Sequence, residues 1–356
     1  MGCTLNQLGR YQEAIEAQDE ALHFKSDFAE AWYNKGLTLD DMGHNEAALE
    51  AYDKAVYLKP DFLEAWNNKA LILTNLERYE EAIVACDKML HLNPDRSSAW
   101  VQKGVVLAHL TQDQEALAVF EQSLRLAPDL PEAWYNKGIS LIKLGRHQEA
   151  LVAFEQALYS EPSFAEAWHK KGLTLGELGR DEEAIEAYNQ AVLLNPNSPE
   201  MWYNKGTTLA DSGQWHIAIA AYDQALLLKP AFPEAWYNRG VALSKLMRRQ
   251  KALEAYNQAI QLKPDFAEAW YNKGVVLLKL DIYEQALIAL DQALHFRPDY
   301  KEAWHNKGEV LAYLKRDHEA IEAFDQALNL DPGFLPSWFS KTMTLAYSGR
   351  HGDAVG

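Results

Sequence analysis

Apolar positions recur along this chain at steps of three and four residues, and no strand-like alternation interrupts them. In residues 267–300, Trp270, Gly274, Leu277 and Leu280 mark one face of an amphipathic helix. After a short break, Ala286, Leu287, Leu290 and Ala293 mark a second. Pro298 stops that second helix, because it has no N–H and its ring clashes with the turn behind it. The break between the helices is usually Gly-Arg, as at Gly145-Arg146 and Gly179-Arg180. An Asp or Ser three residues before a Glu then opens the next pair: Asp61 with Glu64, Asp129 with Glu132, Ser163 with Glu166, Asp265 with Glu268. That is the spacing of a capping box.

The helix pair is a repeating unit. Ten of the eleven tryptophans stand at Trp32, Trp66, Trp100, Trp134, Trp168, Trp202, Trp236, Trp270, Trp304 and Trp338, each 34 residues from the last. An alanine follows 16 residues after each, from Ala48 to Ala354, and a proline 28 residues after, from Pro60 to Pro332. Three columns in phase predict an all-α fold, an α-solenoid of helix pairs. One pair cannot bury its own apolar face, so stacked neighbours supply the core. The expected organisation is one continuous solenoid: a truncated first repeat over 1–28, nine complete repeats over 29–334 and a truncated last repeat over 335–356. Met1 enters at the seventh position of a repeat and Gly356 falls just inside a second helix, so the chain reads as a piece of a longer repeat protein. Its uncapped ends suit self-association.

The signature W-Y-N-K-G-x-x-L-x-x-L-G-R-x-x-E-A-x-x-A-Y-x-x-A-L-x-L-x-P-D resembles the tetratricopeptide repeat family, over essentially the whole chain. The resemblance implies antiparallel helix pairs stacked into a right-handed superhelix, with first helices lining a concave groove that takes a protein or peptide partner.

Charge narrows the partner. Lys and Arg total 34 against 51 Asp and Glu, a net charge of −17, which repels nucleic-acid backbones and anionic membrane surfaces. No nucleic acid and no membrane are expected as partners, and no stretch approaches the length of apolar residues that spans a bilayer. Cys3 and Cys86 lie far apart and form no CxxC pair, which fits a reducing compartment; a cytoplasmic location is expected. The eleven histidines are scattered, with no HExxH, and there is no GxSxG or dinucleotide fingerprint. The expectation is no enzyme, no cofactor and no metal.

Several columns remain to be assigned. The Trp column reads as core, so that Trp134→Ala is expected to cost about 3–5 kcal/mol. A Gly four residues after the Trp, as at Gly36, Gly138 and Gly206, lets the second helix come close. The Glu two before the Trp, as at Glu30 and Glu234, either caps its helix or presents acid to a basic ligand. Lysines three after the Trp, such as Lys35 and Lys137, are expected to pair with an acidic column that includes Asp53, Asp87 and Glu121.

The candidate peptide-binding residues stand one and two after the Trp. They are Asn34, Asn68, Asn136, Asn204, Asn238, Asn272 and Asn306, with Tyr33, Tyr135, Tyr203, Tyr237 and Tyr271. An Asn amide both donates and accepts, so it satisfies peptide backbone whatever the sequence, and Tyr adds contact area at low entropy cost. The same amides have a second use, hydrogen bonding between neighbouring repeats. Gln102 and Lys170 interrupt the ladder. An asparagine ladder of this kind resembles that of O-GlcNAc transferase, a tetratricopeptide relative that grips extended peptides. The carboxylate clamp of chaperone-binding relatives is not carried over, since it needs Lys one after and Asn five after the Trp. The expected function is a scaffold binding an extended peptide in its groove. Two alternatives stay open: the recognition arm of a larger enzyme whose catalytic domain is absent, and a self-assembling scaffold.

Overall fold

The computed structural model describes residues 2–347 and Gly349. Ala354 and the second helix expected near Gly356 lie outside the described residues, as does the Cys3 side chain. The described residues hold helices and turns and no strand. The chain divides into two compact units, Met1–Arg180 and Asp181–Gly356. The first carries helices from Gly2–Gln7 to Ala165–Glu177, the second from Asp181–Leu194 to Leu335–Tyr347. In both, first helices such as Pro131–Lys143 alternate with second helices such as His147–Ser160.

Within each unit every helix packs on the next, and first helices of successive repeats also touch, as Leu63–Asn75 does Ser97–His109 and Pro233–Lys245 does Ala267–Leu278. Successive second helices do not come as close among the described residues. The first helices therefore line the inner side of each unit's curve, as the family resemblance implies.

The alanine column forms the tightest layer: Ala48, Ala116, Ala150, Ala218, Ala252 and Ala286 are all fully buried. Where the two helices of a pair cross, a first-helix Gly meets a ring sixteen residues on. A Cβ at Gly36, Gly138 or Gly206 would lie 2.5, 2.6 or 2.7 Å from a ring carbon of Tyr52, Phe154 or Tyr222. The expected close approach is thus real, and its cause is the ring. Two repeats depart from this, one in both partners and one in the ring alone. Ala70 faces Cys86, whose thiol burial pushes up to about 12, and Gly274 faces Leu290.

Two expectations need correction. The tryptophans are half-buried buttresses rather than fully buried core. Each indole Nε1 donates to the carbonyl six residues before, a proline in all but the first case: Trp134 to Pro128 at 2.8 Å, Trp236 to Pro230 at 3.0 Å. The indole's polar edge has to reach a partner at the surface, so the ring is only partly buried. The capping boxes are also absent at the four predicted sites. The helices start one residue later, with Phe62, Leu130, Phe164 and Phe266 at the N-cap and no side-chain cap bond. Phe62, Phe164 and Phe266 are drawn under Tyr33, Tyr135 and Tyr237, which outweighs a surface hydrogen bond. Ser198 does cap, accepting from Met201 N.

The turn inside each pair needs one left-handed residue. Gly145, Gly179 and Gly213 supply it with φ of 72°, 70° and 74°, but Thr111 is held at 59° and Met247 at 58°. A β-branched residue there is strained. Thr111→Gly is accordingly expected to stabilise the protein by about 0.5–1 kcal/mol, a rise in unfolding midpoint readable by calorimetry. No change, or a loss, would show the turn is unstrained.

Candidate functional site

The asparagine and tyrosine columns meet on the inner face. Asn238, Asn272 and Asn306 each donate through Nδ2 to the hydroxyl of Tyr203, Tyr237 and Tyr271 in the preceding repeat, at 3.0, 3.0 and 3.1 Å. Asn68 donates to the Tyr33 hydroxyl at 3.3 Å. The tyrosines are half-buried: Tyr33, Tyr135, Tyr203 and Tyr237 lie on Phe62, Phe164, Phe232 and Phe266 with ring centroids 4.8–4.9 Å apart, and Tyr271 lies 4.6 Å from Tyr300. Burial pushes the phenols of Tyr135, Tyr203, Tyr237 and Tyr271 up. They stay protonated, so a hydroxyl that accepts from Asn still has a proton to give. The result is a lattice in which each amide is pinned by one bond. Asn34 and Asn204 share the half-exposed inner face.

Asn136 departs from this pattern. The position 35 residues before it is Val101 rather than Tyr, and the amide turns back to the carbonyl of Glu132 in its own helix at 2.8 Å. Gln102 likewise meets the Asn67 carbonyl at 3.2 Å. Around this break lies a cavity of about 450 Å³, lined by Leu71, Val101, Val105 and Leu130 with Gln102, Glu132 and Asn136 among its polar groups. Sequence reasoning noticed Gln102 and missed the cavity. The signal was the loss of Tyr at Asn67 and Val101, one residue earlier than the ladder itself.

The charged columns serve the scaffold. The lysine column pairs with an acid sixteen residues earlier, on the preceding second helix, as expected: Lys35–Asp19, Lys69–Asp53, Lys103–Asp87, Lys137–Glu121 and Arg239–Asp223 lie at 2.5–3.1 Å. Lys35, Lys69, Lys137 and Arg239 also sit over indoles, Lys137 at 5.3 Å from the Trp134 ring centroid. At Lys205 and Lys273 the opposing residues are Asn189 and Asn257, and partial burial lowers both amines. Several column glutamates pair with a cation just past the second helix: Glu30 with Lys59, Glu200 with Lys229, Glu268 with Arg297, at 3.0–3.1 Å. Among the described residues no helix is long and apolar enough to cross a membrane, and no group of His, Cys, Asp and Glu is placed to hold a metal ion.

Tetratricopeptide repeat descriptions match at residues 1–27, 29–62, 63–96, 112–167, 135–201, 206–246, 233–266, 267–300 and 301–334. No match was found among curated proteins. Solved structures resemble the chain. The C-terminal part of a tetratricopeptide repeat-containing protein from Cytophaga hutchinsonii is 18% identical, with 67% of this chain and 98% of that one covered and a TM-score of 0.58. The Cut9–Hcn1 hetero-tetramer of the APC/C is 16% identical, covering 96% of this chain and 82% of that one, with a TM-score of 0.51. YrrB, described as a repeat protein of this kind with an unusual peptide-binding site, is 26% identical over 53% of this chain and 97% of its own, with a TM-score of 0.49. The fold is typically a non-catalytic scaffold for protein interaction. With the period, the glycine–ring crossings and these matches in agreement over most of its length, the chain belongs to the tetratricopeptide repeat family.

Proposed function

We propose that the chain binds an extended peptide of a partner protein along the inner face of its first helices. The observation that carries this reading is the asparagine–tyrosine lattice. Tying one Nδ2 proton to a tyrosine fixes the rotamer of Asn238, Asn272 and Asn306. The amide oxygen and second N–H then face the groove already ordered, which lowers the entropy cost of binding. Packed helices stand roughly 8–10 Å apart, and an extended chain covers about 3.3 Å per residue. Each rung therefore serves about three ligand residues, recognising backbone rather than side chains. We also propose a cytoplasmic location, on the sequence argument that Cys3 and Cys86 lie far apart and form no CxxC pair.

The test uses a peptide selected from a random display library on the full chain. Replacing Asn238, Asn272 and Asn306 together by Ala removes three amide contacts, each worth about 0.5–1.5 kcal/mol. Affinity measured by calorimetry should fall at least about tenfold. Unchanged affinity in a variant with an unaltered melting profile would return the lattice to a purely structural role.

A further inference from the structure

The cavity at the break in the lattice points to a more specific ligand, an inference that rests on the groove reading above. In the flanking repeats a tyrosine fills the space between first helices: Tyr33 lies on Phe62 and Tyr135 on Phe164. In the two repeats between them both members of the stack are missing. Asn67 and Arg96 stand in one, Val101 and Leu130 in the next. The apolar cavity of about 450 Å³ occupies the space those rings would fill. Asn136 keeps the amide that would meet a phenol there, as Asn238 meets Tyr203 at 3.0 Å, and among the described residues bonds the Glu132 carbonyl of its own helix instead.

Charge adds a second feature. Glu132 lines the same cavity. Its equivalents Glu30, Glu200 and Glu268 each pair with a cation 29 residues on, whereas that position is Asn93 after Glu64, Asn195 after Glu166, Asp331 after Glu302 and Glu161 after Glu132. Glu132 makes no ion pair among the described residues, and its exposed carboxylate stands at the rim of the cavity, where a ligand cation can reach it.

We propose that this pocket binds a tyrosine side chain of an extended peptide, with a lysine or arginine beside it. The ring takes the place of the one absent at Val101, its hydroxyl accepts from Asn136 Nδ2, and the cation meets Glu132. Phosphorylation of that tyrosine opposes binding, because it adds negative charge beside Glu132.

The probe is a short Gly/Ser peptide with a central 3-fluorotyrosine followed by Lys, titrated into the full chain and read by fluorine NMR. The wild-type protein should bind it, and exchanging the tyrosine for a fluorinated phenylalanine should weaken binding about fivefold. Val101→Tyr, which fills the cavity with the chain's own ring, should abolish binding by about tenfold or more. Asn136→Ala, a milder variant that keeps the question open should Val101→Tyr misfold, should weaken it about fivefold. No binding by the wild type, or equal affinity for the tyrosine, phenylalanine and phosphotyrosine probes, overturns the proposal. So does a probe indifferent to both variants; if the selected peptide still depends on Asn238, Asn272 and Asn306, the groove reading stands without the pocket. A probe lost with Val101→Tyr, beside a selected peptide indifferent to those three asparagines, upholds the pocket and removes the lattice from the site.

Discussion

Phe154→Ala is expected to destabilise the first unit by about 3–5 kcal/mol, and Trp134→Ala in the same repeat by clearly less. The ranking follows from where each ring sits. Phe154 is fully buried, closed in by Leu117, Leu141, Ala150 and Ala153 and pressed on the bare backbone of Gly138. Removing it leaves a cavity that two helices must collapse to fill. Trp134 is only partly buried, with its Nε1 on the Pro128 carbonyl and Lys137 across its face. Truncating it opens a surface notch that water enters, so the cavity contribution largely vanishes. Repeats couple mainly to their neighbours. Hydrogen exchange should therefore show the Phe154→Ala loss centred on helices Pro131–Lys143 and His147–Ser160. Equal costs for the two variants, or protection lost evenly along the first unit, would contradict this picture of the core.

How far the molecule was legible in its sequence depends on which residues one asks about. Trp, Ala and Pro in phase are visible in any reading of the chain, and they specify helix pairs because nothing else satisfies three columns 34 residues apart. The lysine–acid pairs were legible for the same reason: a fixed offset of sixteen residues joins a cation to an acid in all repeats but two, and the exceptions at Asn189 and Asn257 are themselves visible. What the periodicity conceals is depth. A tryptophan and a phenylalanine in two conserved-looking columns carry similar hydrophobic weight, and only the indole's need for a hydrogen-bond partner distinguishes the half-buried ring. Helix starts failed by one residue at Asp61, Asp129, Ser163 and Asp265, and after Asp61, Ser163 and Asp265 the reason is a Phe that packs beneath a groove tyrosine. The asparagine column was legible as a ladder, but its link to the tyrosines runs 35 residues, one more than the period. That extra residue hides the pairing from a column-by-column comparison. It also hides the consequence at Val101, where the loss of a tyrosine in one repeat releases Asn136 in the next.

Gly206→Ala is expected to cost about 1–3 kcal/mol, even though alanine is the better helix former by about 1 kcal/mol. A methyl group at Gly206 would stand 2.7 and 2.8 Å from two ring carbons of Tyr222. That ring is fully buried and enclosed by the packed core of the second unit, so it cannot swing aside. Either the second helix Trp215–Leu228 moves outward or the ring leaves its rotamer, and both loosen the layer built on Ala218. The chain contains its own control: where the first helix carries Ala70, the facing residue is Cys86, and both are fully buried without a clash. Tyr222→Cys alone should cost about 3–5 kcal/mol through the cavity it opens. In the double variant the alanine methyl enters that cavity instead of striking a ring. The combined loss should therefore fall short of the sum by about 1–3 kcal/mol, a coupling that denaturant unfolding of the four proteins in the cycle resolves. Additive losses would mean that glycine is required at this position by the backbone of the first helix and not by the ring opposite. The Ala70–Cys86 pair would then have to be explained without any compensation between its two members.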